Sequence, residues 1–272
     1  MKNPLSILAC FIICIALVFF RINNSDLTAG HKPLKITEWD AFGYYMYLPA
    51  FCIYDDHKQL NWLDTIDKKY GVTGGNGWQA LKQDNGNYVF KYLGGVALMQ
   101  LPFFAAGHFV AQHSHYPPDG FSPPYQYALG FGIIFYSLLA LLLLRTVLLR
   151  YFDDKVTAIT LLLLCLASNY IQYAAVDSGQ SHGYLFILYA AILYTTIRWH
   201  EKPTLLFAIL TGYVIGLATM TRPTEAIMFF IPLMWNTHTK EAAAAKWTMV
   251  KNNRNHLISA MAGGLTGILP QL

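Results

Sequence analysis

Apolar runs at 127–148, 156–175, 183–198 and 204–221 follow one another, separated only by short connections. No other feature constrains the chain as much. About 20 apolar residues cross the hydrocarbon of a bilayer. A chain there must satisfy its backbone hydrogen bonds within helices or a closed barrel. Two shorter runs, 224–236 and 257–270, read as further spans that are short or incomplete. An N-terminal run, 4–20, adds another. The expected fold is therefore an all-α polytopic membrane protein in one domain over 1–272. Composition agrees: 55% of residues are apolar and 12% charged, where a soluble domain carries about 25% charged residues.

The first run follows Lys2. No small-x-small cleavage site comes after Phe20, where the chain continues Arg21-Ile22-Asn23-Asn24. The run thus reads as a retained signal anchor rather than a cleaved signal peptide. Ile7-Leu8-Ala9-Cys10 has the look of a lipoprotein cleavage site, but the apolar run continues well past it.

Charge sets the topology. Lys and Arg gather in the connections 145–155, 198–202 and 240–254, while 113–124 and 175–182 hold none. Basic short loops mark the cytoplasmic side, and Lys2 puts the N-terminus there too. Residues 21–124 then form one large external loop. This requires the apolar stretch Leu93–Gln112 not to cross. Its polar positions Gln100, His108 and Gln112 suit a helix lying in the membrane interface. Asp40–Tyr54, rich in Tyr and Phe, suits a second interfacial helix. Asp84-Asn85-Gly86 signals a tight turn that folds Trp78–Gln83 against Asn87–Lys91. The net charge of +4 comes with no basic stripe, so nucleic acid is not an expected partner. Of the four cysteines only Cys52 lies in the loop, so no disulfide framework is visible.

The middles of the spans carry no Asp, Glu, Lys, Arg or His. Such residues mark ion and proton pathways in membranes, so an ion-coupled transporter is disfavoured and chemistry is expected at the outer surface. Four clusters face it. Glu38-Trp39-Asp40 precedes the aromatic stretch; a carboxylate there can serve as general base or simply cap a helix. Lys91 can hold a phosphate as a point charge or snorkel. Asp177-Ser178-Gly179-Gln180-Ser181-His182 is a polar turn whose charge and imidazole a mere connection does not need. Arg222 stands alone among the outer connections and can grip a phosphate with two hydrogen bonds, or pair with Glu225. His108, His113 and His115 lack a ligand pattern, and no HExxH, CxxC, GxSxG or phosphate-cradling glycine loop occurs.

Three segments carry a resemblance. Glu38-Trp39-Asp40-Ala41-Phe42-Gly43-Tyr44-Tyr45, Lys91-Tyr92-Leu93-Gly94-Gly95 running on to Phe104, and Gly216-Leu217-Ala218-Thr219-Met220-Thr221-Arg222-Pro223 resemble the GT-C membrane glycosyltransferases. They are most similar to bacterial enzymes akin to protein O-mannosyltransferases and lipid A aminoarabinose transferases. The resemblance implies a bacterial inner-membrane enzyme whose first external loop carries membrane-parallel helices. Its donor would be a polyprenyl-phosphate sugar, and its acceptor a glycan, lipid or protein outside the cytoplasm. It implies Asp40 as base with Glu38 as the alternative, Lys91 and Arg222 on the donor phosphate, and Asp177 and His182 in an active-site loop. Relatives often carry adjacent acidic residues; here Trp39 separates Glu38 from Asp40. No cofactor is required by these motifs, and a divalent metal stays open. Family members run longer, so the chain is expected to be C-terminally truncated. A non-catalytic envelope assembly subunit, or a lipid or solute transporter, is the competing expectation.

Overall fold

The computed structural model describes residues 3–24 and 35–271; Lys2, used above for topology, lies outside them. The apolar runs become helices. α1 spans Pro4–Asn24, α6 Pro123–Leu148, α7 Asp154–Leu166, α8 Ser181–Glu201, α9 Leu205–Thr221 and α12 Arg254–Ile268. In the external loop stand α2 (Trp39–Tyr45), α3 (Tyr47–Cys52), α4 (Leu63–Tyr70), strands β1 (Ala80–Lys82) and β2 (Tyr88–Phe90), and α5 (Gly95–Gln112). Short α10 (Phe230–Met234) and α11 (Lys240–Asn252) lie between α9 and α12.

Local chemistry explains where the elements depart from the expected spans. The 156–175 run is not one helix: α7 stops at Leu166 and a π-helical turn follows at Gln172–Val176. The Ser168 hydroxyl donates to the Leu164 carbonyl at 2.6 Å and accepts from the Tyr170 N–H at 3.1 Å, replacing the regular ladder. The 224–236 run is a 3₁₀ helix, Pro223–Phe229, leading into α10; Pro223 and Pro232 each lack the N–H a continuous helix needs. The 240–254 connection contains α11, capped by the Thr239 hydroxyl on the Ala242 N–H at 3.1 Å. The expected Asp40–Tyr54 helix is broken into α2 and α3 at Met46, because Pro49 has no N–H to give the Tyr45 carbonyl.

The tight-turn reading holds: β1 and β2 pair antiparallel, Ala80 opposite Phe90, and Gly86 takes φ +83° in the turn. The loop has its own aromatic core, with Phe42, Tyr45, Trp62, Phe121 and Tyr125 buried together against α5 and α6. Asp119 fastens its base, accepting from Lys69 at 2.9 Å and from the Tyr70 hydroxyl at 2.6 Å. The bundle core is separate and aliphatic, centred on Ile13, Leu17, Ile133, Leu161 and Ile192.

Contacts sort the bundle into two ends. At one end the Leu5 and Ser6 amides donate to Asp154, Arg145 donates to the Ser6 hydroxyl at 2.7 Å, Arg150 pairs with Glu201, and the Trp199 indole donates to His256. All three basic connections meet there with the start of α1. α5 runs antiparallel along the first half of α6: Gly107 packs on Tyr125, Phe103 on Gly132, and the Tyr136 hydroxyl donates to the Met99 carbonyl at 2.8 Å. It never reaches the level of Arg145. α9 and α12 run parallel in backbone contact, with Gly212 against Ala260, Gly216 against Gly264 and Gly267 against Tyr213; side chains there would force them apart.

Charge does enter the helices. Arg21 is 4% exposed in the last turn of α1, and Glu225 is 9% exposed in the 3₁₀ turn after α9. Both belong to the end opposite the basic connections.

Candidate active site

The chain enters α2 through an unusual backbone. Trp39 adopts φ +54°, a left-handed conformation that costs energy for a bulky residue and survives only where its surroundings hold it. Its N–H donates to the Val72 carbonyl at 3.0 Å, and its carbonyl accepts from the Gln79 amide at 3.1 Å. Its indole lies against Gly74, where a β-carbon would come within 2.9 Å of the ring. The clamp separates the two carboxylates. Glu38 is tied to Lys35 at 2.6 Å. Asp40 stands in the first turn of α2, is not its cap, and accepts the Tyr92 hydroxyl. Burial and then that bond raise the Tyr92 pKa, so the phenol stays a donor at neutral pH.

Tyr92 links Asp40 to Lys91. Its ring stacks near Tyr44 at 4.2 Å between centroids, over Gly43, whose β-carbon would collide with it. The Lys91 ammonium sits 4.2 Å from the Trp78 ring centroid and 5.5 Å from that of Tyr92. Two aromatic faces thus hold an exposed cation beside the phenol that orients the carboxylate.

The Asp177–His182 turn joins from the side. Gly179 packs directly on Ala41 and on the Ile36 carbonyl. From below, Arg21 donates to the Ser178 hydroxyl at 2.6 Å and to the Ala175 carbonyl at 3.3 Å, its guanidinium lying on Gly130. Asp177 is exposed and accepts from the Gln172 amide at 2.7 Å. His182 stacks on Tyr173 at 4.4 Å and makes a long contact, 3.4 Å, with Arg222. Burial and then the Arg222 charge lower the His182 pKa, which keeps the imidazole neutral at neutral pH.

Arg222 comes from the end of α9. Gly95 packs on the backbone of Met220 and Thr221, so the segment after Lys91 touches the residue before Arg222. Arg222 has no ion pair with Glu225 among the described residues; Glu225 instead accepts the Tyr189 hydroxyl at 2.6 Å. Asp40, Lys91, Asp177, His182 and Arg222 therefore lie on one end of the bundle, with Glu38 at its edge. Sequence reasoning missed Arg21 and Tyr92 here, and named Glu225 only as a partner for Arg222 rather than for Tyr189. Arg21 and Glu225 carried one usable signal, a charge adjoining an apolar run. Among the described residues no three carboxylate, imidazole or thiol side chains converge.

Residues 116–251, half of the chain, match glycosyltransferase family 87. The chain belongs to glycosyltransferase family 87. This is a GT-C-type membrane glycosyltransferase family, the class that the three motifs resemble. No curated protein and no solved structure matches the chain. The family 87 match includes the Asp177–His182 turn and the Gly216–Pro223 segment. It excludes Glu38–Tyr45 and Lys91–Phe104, which the fold nonetheless packs against it.

Proposed function

We propose that this family 87 protein transfers a sugar from a polyprenyl-phosphate donor to a hydroxyl acceptor on the non-cytoplasmic side of a bacterial inner membrane. The observation that carries the reading is the gathering of Asp40, Lys91, Asp177, His182 and Arg222 at the end opposite the basic connections. With basic loops inside, that end faces out. The confinement of α5 to the first half of α6 supports its not crossing the membrane.

A prenyl tail keeps its phosphate at headgroup depth, so the groups that meet it must sit at a bundle end. Asp40 accepts the proton of the acceptor hydroxyl as that oxygen attacks the anomeric carbon. The bond from sugar to phosphate breaks, and its electron pair leaves with the polyprenyl phosphate. Lys91 and Arg222 neutralise the charge growing on that phosphate. A single displacement inverts the anomeric centre. Asp40 is favoured over Glu38 because Lys35 already occupies Glu38, whereas Asp40 keeps an oxygen beyond its Tyr92 bond. Neutral His182 leaves Arg222 as the cation on its side of the site.

Mass spectrometry of the complete protein purified from its own membrane tests the donor class. A bound polyprenyl phosphate or its glycoside is expected. A nucleotide sugar in its place overturns the donor assignment.

A further inference from the structure

Lys91 leads into α5 and Arg222 ends α9, so the spacing of the two cations depends on how these elements are joined. One joint is direct, the packing of Gly95 on the backbone of Met220 and Thr221. A second runs through a side chain to which nothing above gives a role. The 3₁₀ turn Leu269–Gln271 follows α12 and brings Gln271 to the Lys91 end of the bundle. The Gln271 side-chain carbonyl accepts the Gly94 N–H at 2.7 Å. Its amide nitrogen donates to the Tyr47 hydroxyl. That hydroxyl donates in turn to the Tyr92 carbonyl at 2.6 Å. A glutamine can make both bonds at once because its amide carries an acceptor and a donor.

The relay pins the backbone just beyond Lys91, at the Tyr92 carbonyl and the Gly94 N–H. On the near side the Lys91 N–H donates to the Gln79 carbonyl at 2.9 Å. The root of the Lys91 side chain is therefore held from both directions, while its ammonium rests over Trp78. Gln271 is itself anchored. α12 lies in backbone contact with α9, Gly264 against Gly216 and Gly267 against Leu217, and α9 runs on from there to Arg222. α9 and α12 thus form one packed unit that carries Arg222, and Gln271 ties the Lys91 turn to that unit.

We propose that Gln271 is a positioning residue for the donor phosphate: through Gly94 and Tyr47 it fixes the Lys91 ammonium relative to Arg222. This rests on the donor reading above. Cations already in place need no rearrangement when charge grows on the phosphate.

The test measures binding of polyprenyl phosphate to the complete protein in bilayer discs, for the wild type, Gln271→Leu, Lys91→Met and the double variant. Gln271→Leu is expected to weaken binding by about tenfold, with the acceptor KM unchanged. Because Gln271 acts through Lys91, the double variant should bind no worse than Lys91→Met alone. Tyr47→Phe, which removes the link to the Tyr92 carbonyl, should weaken binding in the same direction. Amide hydrogen exchange over Lys91–Gly95 should quicken in Gln271→Leu while that of Gly107–Gln112 stays as it is. A wild-type protein that binds no polyprenyl phosphate overturns the donor reading. Binding in the wild type with losses that multiply in the double variant, or exchange unchanged over Lys91–Gly95, overturns the role of Gln271 alone.

Discussion

At the end of the bundle that gathers Asp40, Lys91, Asp177, His182 and Arg222, the polar side chains are held by tertiary contacts yet keep capacity to bind something else. At the opposite end, Arg145, Arg150, Asp154 and Glu201 mostly satisfy one another and the helix termini. The first arrangement costs stability through a left-handed Trp39 and a buried Arg21. The second is ordinary end-stapling. The strained Trp39, beside a carboxylate and cations that keep binding capacity, marks the first end as the place where chemistry is expected.

Substitutions at the two ends should therefore act differently, and the largest effect falls on Asp40. Asp40→Asn keeps the shape and the bond with Tyr92 but loses the basic oxygen, so turnover is expected to fall by ~10²–10⁴-fold. Glu38→Gln should stay within severalfold of normal; the reverse pattern, read as kcat for both, assigns the base to Glu38 instead. Next comes Arg222→Met, expected to lower kcat/KM for the donor by ~10²-fold with little change in melting temperature. A loss of stability without loss of activity would return Arg222 to a structural role.

Arg21→Met should move both quantities, because it frees the Ser178 turn and leaves the Ala175 carbonyl unpaired. A loss of about 2 kcal/mol in stability should accompany a partial loss of activity, measured by thermal unfolding and initial rates. Arg21→Lys should rescue activity in part. Unchanged activity in a destabilised Arg21→Met protein would show that the turn does not depend on this contact. The smallest effect belongs to the basic end. Arg150→Ala breaks a partly exposed ion pair with Glu201 and should cost no more than about 1 kcal/mol, with normal turnover. Activity lost there would dissolve the contrast between the ends.

The sequence made the bundle, the hairpin and the separation of basic from neutral connections legible, since each rests on local pattern. Asn85-Gly86 announces its turn, and 20-residue apolar runs announce helices. The breaks were less visible. Ser168 interrupts its run by bonding to Leu164 and Tyr170, and Pro223 and Pro232 theirs by lacking an N–H, which hydropathy does not register. Gly212, Gly216, Gly263 and Gly267 do stand at small-xxx-small spacing, a signal for the α9–α12 contact that went unread. Of the site, Asp40, Lys91 and Arg222 stood out as charges near apolar segments. Tyr92, Glu225 and the bracing role of Arg21 depend on partners 36 to 157 positions away in the chain, which no local pattern contains. The family match adds its own lesson. It covers 116–251, while Asp40 and Lys91 lie outside it and are brought against it by packing such as Gly179 on Ala41 and Gly95 on Thr221.

The donor itself is the most direct test. The complete protein, in bilayer discs with a simple hydroxyl acceptor, is offered a polyprenyl-phosphate sugar or the matching nucleotide sugar, and both products are followed. Release of free polyprenyl phosphate in step with a glycoside of inverted anomeric configuration is the predicted result. Transfer from the nucleotide sugar alone would contradict the account.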